Sequence, residues 1–338
     1  MKVGVFLTNQ QRIGADQRTA LDEQIAMLHA ARDAGWQSVH AGQHYLSTDM
    51  THIQPLPYLA RLASEAGDMQ VGMGILLLPL QNPVDVAENF ASLDVVTGGR
   101  LIFGVGMGYR EMEYNAFGVD PKDKVRRFEA NLDVILRLWA GEEVDADLPW
   151  CRLDGAKLNL LPVQQPRPPV WMAANADKAV ERAARLADAW MINPHAALPT
   201  VRRQVDLYRT ARHAAGKDEG QPLPLMREIF CARDRQTAIE KAAPYIAKKY
   251  STYASWGQDK VMPEKESFDT AYEELAADRF IVGSPEDCVE ALQPWVELGV
   301  GRLILRTHWS GLPAEDAIDS IRLLATEVVP AIEESTTS

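Results

Sequence analysis

VGMGILLLPLQNPVDVAENFASLDVVTGGR, residues 71–100, runs straight into LIFGVGMGYREMEYNAFG, residues 101–118. An apolar run, an amphipathic segment and a second apolar run ending in glycines predict a strand, a helix and a strand. Pro83 stands where the first helical turn tolerates a residue without an amide hydrogen, and Gly98 and Gly99 stand where a helix ends. Both boundaries of this unit are therefore marked.

The same alternation extends in both directions. Upstream, KVGVFL reads as a strand, and Leu21, Ile25, Leu28 and Ala31 recur at helical spacing before Gly35. SVHAG is the second strand, and a loop with Pro55 and Pro57 leads into a helix through Leu59, Leu62 and Ala63. Downstream follow a helix over 122–139, PPVWMAA, KAVERAARLA, DAWMIN, a helix ending near Ala215, PLMREIFCA, a helix through Ala247, GRLILR and a closing helix to Ile332. Eight apolar strands alternating with helices exceed a usual doubly wound sheet and predict an α/β fold, a (β/α)8 TIM barrel with insertions, as a single domain over 1–338. Residues 141–168 are proline-rich, with LDGAKLNLL suggesting a hairpin insertion. Residues 251–279, rich in Tyr, Trp and charge, form a candidate lid insertion or an ordinary packed surface segment. Residues 334–338 read as a disordered tail.

Composition narrows the function class. The chain is 46% hydrophobic with a formal net charge of -12, and no Lys/Arg cluster offsets that acidity, which argues against nucleic acid or an anionic membrane as a partner. VGVFL is too short for a secretion signal, and no apolar stretch approaches the roughly 20 residues of a membrane helix, so a cytoplasmic location is expected. Cys151, Cys231 and Cys288 lack ligand-like spacing, so neither a metal site nor a disulfide scaffold is expected.

Four stretches, GWQSVHAGQHYL, the 71–118 unit, PPVWMAANADKAVERAARLADAW and VGSPEDCVEALQPWVELGVGRLIL, resemble in order the bacterial-luciferase-like family of flavin- and deazaflavin-dependent oxidoreductases. The resemblance covers the chain from Met1 to about Glu333 and implies a reduced flavin at the C-terminal ends of the barrel strands. It makes His44 the candidate catalytic residue, with Gln43 where the family carries an acid. Without a carboxylate beside it, His44 is expected to act as a neutral base or donor oriented by Gln43. It also implies a non-prolyl cis peptide between Gly74 and Ile75 behind the flavin ring.

Gly106 and Gly108, with Gly104, leave room for a ring or ribityl chain, but their context is not a dinucleotide fingerprint. Met107 replaces the arginine that grips the flavin phosphate in the luciferases. Ala173, Ala174, Asn175 and Ala176 run into a helix and offer backbone N–H groups as a phosphate cradle. Asp177 either repels a phosphate there or caps the helix, and Arg110 either supplies positive charge or joins a salt bridge. Tyr45, Met50, Trp256 and Trp309 are the candidate substrate pocket.

These residues suit a two-component monooxygenase that takes FMNH2 from an NAD(P)H:flavin reductase and uses O2 on a small apolar or aromatic substrate. A dehydrogenase using the deazaflavin coenzyme F420 is the alternative in the same fold, and a non-catalytic flavin-binding protein is a third reading. The resemblance also implies a homodimer.

Overall fold

The computed structural model describes residues 1–218, 222–263 and 267–337. Eight parallel strands form its centre: β1 Lys2–Phe6, β2 Ser38–Ala41, β3 Gln70–Met73, β4 Leu101–Gly106, β5 Val170–Ala173, β6 Ala189–Met191, β7 Leu223–Cys231 and β8 Val300–Arg306. β1 through β6 pair in chain order and β1 also pairs β8, which pairs β7. The Ile192 N–H donates to the Pro224 carbonyl at 2.9 Å and the Met226 N–H to the Ile192 carbonyl at 2.8 Å, joining β6 to β7 and closing the circle. The eight expected strands are thus the barrel. A ninth short strand, Ile281–Gly283, pairs with the end of β7.

The outer layer contains α1 Gln17–Asp33, α2 Pro55–Ala63, α3 Pro83–Val96, the short α4 Glu111–Ala116, α5 Lys124–Trp139, α6 Asp177–Leu186, α7 Leu198–Ala214 and α8 Arg235–Ser255. α9 Tyr272–Ala276, α10 Pro285–Glu297, α11 Ala314–Leu323 and α12 Val329–Thr337 complete it. The decisive unit behaves as its boundary residues require. Asn82 caps α3 through the Val84 N–H, Pro83 opens it, and Gly98 and Gly99 take positive φ beyond its end. α3 and α5 clamp the outside of β4, where Trp139 meets Phe103 edge to face and donates from Nε1 to the Ala87 carbonyl at 2.9 Å.

The hairpin in 141–168 is made by strands Val144–Leu148 and Cys151–Ala156, so its turn falls at Pro149 and Trp150, ahead of the LDGAKLNLL segment. The reason is an anchor: Trp150 lies under the Arg127 guanidinium at 4.4 Å and donates to Asn131 at 2.8 Å, fixing the turn on α5. α12 takes up 334–337 of the segment read as a tail, while Ser338 lies outside the described residues. Residues 251–255 are the last turn of α8, and 264–266 of the candidate lid lie outside the described residues. No helix among the described residues is long and apolar enough to cross a membrane.

Candidate active site

A cavity of about 260 Å³ opens where the strands end, bordered by the loops after β1, β2, β3, β4, β5 and β6 and by α8. Its back wall is the loop after β3. The Gly74–Ile75 peptide is cis, and the Gly74 N–H donates to the Ala41 carbonyl at 2.7 Å. β4 receives this bulge on glycines: a Cβ on Gly104 would lie 1.7 Å from the Met73 carbonyl oxygen, and one on Gly106 2.6 Å from Ile75 Cδ1. At Gly108, φ is +74° and a Cβ would meet Leu77 at 2.9 Å. The expectation that these glycines leave a gap for a cofactor is corrected in part. Gly106, Met107 and Gly108 do border the cavity, but the room at 104 and 106 is taken by Met73 and Ile75.

His44 stands on the cavity lip, and its Nδ1 lies 3.2 Å from Glu113 Oε1. Glu113 comes from α4, is buried, and also accepts from the Tyr45 N–H at 2.8 Å and Arg110 Nη1 at 3.2 Å. Burial pushes the Glu113 carboxyl up, but the bonds from His44 and the Tyr45 N–H, with Arg110, outweigh it and hold it below the ordinary value. A carboxylate only accepts, so Nδ1 carries the hydrogen and Nε2 is left for other partners. The expectation of a histidine without a carboxylate is therefore overturned: the acid arrives from 69 residues away.

Gln43 does not orient His44. Its Nε2 donates to the Tyr45 hydroxyl at 2.8 Å and its Oε1 accepts from the Leu77 N–H at 2.9 Å, tying the β2 loop to the β3 loop. Arg110 is likewise committed, to Glu113, to the Tyr45 carbonyl at 2.6 Å and to the Trp256 face at 4.1 Å, so it takes the salt-bridge reading. Trp256 also meets His44 edge on at 5.2 Å and stacks on Tyr253 at 5.3 Å. The C-terminal end of α8 thus lies over the histidine, with Tyr253, Gln258 and Val261 on the cavity wall.

At the opposite end, Ala173, Ala174, Asn175 and Ala176 border the cavity and lead into α6. Ala176 is the N-cap and offers no side-chain acceptor, so although the Ala179 N–H turns to the Ala176 carbonyl at 2.8 Å, the Asp177 and Lys178 N–H groups keep their capacity for an anion. Asp177 does not cap them: its carboxylate takes a bidentate pair from Arg203 at 2.7 and 3.1 Å and a bond from Gln204 at 3.0 Å. Lys124, the first residue of α5, faces the cavity and brings the cation that Met107 does not.

The predicted substrate pocket is not assembled as expected. Tyr45 packs on Phe117 at 4.6 Å, and Tyr45, Met50 and Trp256 do not border the cavity, Trp256 lying instead over His44. Trp309 is core, donating at 2.6 Å to Glu228. Aromatic and thioether side chains carry no sign of which way a loop will turn them. The apolar lining comes instead from Phe6, Ile75, Met172, Met191 and Met226.

Beneath them lies an ionic cluster whose Glu228 and Lys249 no sequence motif marks. Glu228 on β7 is fully buried and bonds Lys249 of α8 through Oε1 and Trp309 through Oε2, and Arg306 at the end of β8 approaches it at 3.8 Å. Burial, with the Arg306 charge, pushes Lys249 down to about 7 against the pull of Glu228. His195 and His52 also face the cavity, His52 pushed down to about 4 by burial and the neighbouring His44. A charged Arg227-Glu228 pair inside an apolar strand was the available signal for the cluster.

A family model described as luciferase-like monooxygenase matches residues 1–302. The flavin-dependent trigonelline monooxygenase, oxygenase component, of Acinetobacter baylyi is 23% identical, with 99% of this chain and 96% of that protein covered. Two solved structures share the fold. The oxygenating constituent of 3,6-diketocamphane monooxygenase from the CAM plasmid of Pseudomonas putida, in complex with FMN, superposes with a TM-score of 0.80 at 18% identity over 98% of each chain. An F420-dependent secondary alcohol dehydrogenase with an F420-acetone adduct gives 0.79 at 19% identity, again over 98% of each chain.

Proposed function

Because the chain belongs to the luciferase-like monooxygenase family, we propose that it is the oxygenase of a two-component flavin monooxygenase. It would take FMNH2 from a separate NAD(P)H:flavin reductase and use O2 to oxygenate a small organic substrate with an apolar or aromatic body. The observation that carries this reading is the His44–Glu113 pair at the lip of an apolar cavity backed by the cis Gly74–Ile75 bulge. The trigonelline enzyme's designation as an oxygenase component supports a separate reductase.

The residues fit the cofactor. The uncapped start of α6 and Lys124 would hold the phosphate, and the β3 bulge would back the ring. Bound reduced flavin supplies the two electrons that activate O2. His44 would give or take a proton at Nε2, while Glu113 fixes its orientation through Nδ1. Trp256 and Tyr253 would keep bulk water from that proton. We read the chain as a cytoplasmic homodimer, which size-exclusion chromatography with light scattering tests.

The test of the activity is reoxidation of chemically reduced FMN followed by visible absorbance with hydrogen peroxide measured in parallel. Under this proposal the protein slows reoxidation and peroxide release relative to free flavin. Unchanged rates at saturating protein would refute it. One observation favours a second reading, F420-dependent hydride transfer. Glu113 gives His44 the acid that Gln43 does not, which suits a deazaflavin-dependent member of the family. Anaerobic titration of both cofactors decides between them: stronger quenching of F420 fluorescence than of FMN fluorescence would favour the second.

A further inference from the structure

At one end of the cavity Arg306 and Lys249 face it beside His195. Arg306 is 5% exposed, and its Nε has no hydrogen-bond partner. His195 Nδ1 is also buried and without a partner. Glu228 bonds Lys249 and Trp309 but leaves Arg306 at 3.8 Å, beyond hydrogen-bond reach. One carboxylate thus faces two cationic side chains, and the Arg306 Nε–H is left as an unmet donor at the pocket wall. A buried guanidinium with an unmet N–H is costly unless a ligand completes it.

We propose that this end of the cavity is an anion subsite that selects substrates carrying a carboxylate on an apolar body, with Arg306 as its principal ligand. Arg306 lies over the Phe6 ring at 4.3 Å, and Met226 and Phe6 continue the wall that the apolar body would meet. The proposal rests on the monooxygenase reading for what happens to the substrate, but the recognition it describes is independent of turnover.

The test is isothermal titration of the purified protein with benzoate against benzamide, and with hexanoate against hexanamide. Each pair differs in the charged head alone. The acid of at least one pair should bind ten-fold or more tightly than its amide, and Arg306→Gln should abolish that preference without changing amide binding. Lys249→Met, which keeps the length of the side chain, should weaken acid binding in the same direction, and circular dichroism checks that both variants fold. FMN binding by fluorescence quenching should be unchanged in Arg306→Gln. Equal affinity for acid and amide, no binding of either acid at millimolar concentration, or a preference that survives Arg306→Gln would overturn the subsite. Loss of FMN binding in the wild-type protein would instead count against the flavin reading and leave the subsite result standing.

Discussion

Acid should unfold this protein through its histidines before its carboxylates titrate. His40, inside the barrel, is pushed down to about 3 by burial and the nearby Arg302 charge. His52 and His308 are each pushed down to about 4, chiefly by burial. Each is neutral when folded and takes a proton when unfolded below about pH 6.5, so the unfolded state binds more protons between 6.5 and the folded value. Stability is therefore full above that window and falls as pH drops through it. Moving from pH 7 to pH 5 costs about 2 kcal/mol for each group, about 5–6 kcal/mol together, comparable with the whole stability of many domains. His195 shifts in the same direction. Carboxylates held low, such as Glu113 and Asp188, act mainly below about pH 4.5 and leave this window clear. Urea unfolding at pH 7, 6 and 5 measures the loss, and His40→Gln should shrink the difference between pH 7 and pH 5 by about 2 kcal/mol. A loss under about 1 kcal/mol in the wild type, or one unchanged in His40→Gln, would refute the reasoning.

Other consequences are as direct. Glu113→Gln removes the carboxylate behind His44 and should lower kcat about 10- to 100-fold with a displaced pH–rate profile, since its role is to position the imidazole; steady-state rates across pH check this. Lys124→Met should weaken FMN binding about ten-fold while leaving riboflavin, which lacks the phosphate, unaffected in fluorescence titration. Gly104→Ala forces a Cβ to within 1.7 Å of the Met73 carbonyl oxygen, and thermal unfolding should show a loss of about 3 kcal/mol or failure to fold. Trp256→Ala opens the space over His44 and should speed the reoxidation of reduced FMN.

The barrel was legible because its signals are local: alternating apolar runs, Pro83 before α3, Gly98 and Gly99 after it. The cis bulge at Gly74–Ile75 followed from resemblance, and β4 explains it sterically, since Gly104 and Gly106 vacate the volume that Met73 and Ile75 occupy. The ionic groups were not legible. Glu113 behind His44, and Lys124 and Lys249 on the cavity wall, lie on three separate elements, and only the closed fold brings them together. Tyr45, Met50 and Trp309 failed as pocket residues for the complementary reason: position near a strand end does not fix side-chain direction, and Trp309 found a buried carboxylate instead.

The partner of His44 is supplied by tertiary folding rather than by the neighbouring position in the chain. A carboxylate adjacent in sequence would accompany the histidine into any loop conformation, whereas Glu113 keeps contact only while the segment after β4 remains docked on the segment after β2. Arg110 and the Tyr45 amide serve as latches on that docking. Under the proposed role of His44, its orientation thus depends on how two loops far apart in the chain seat on one another.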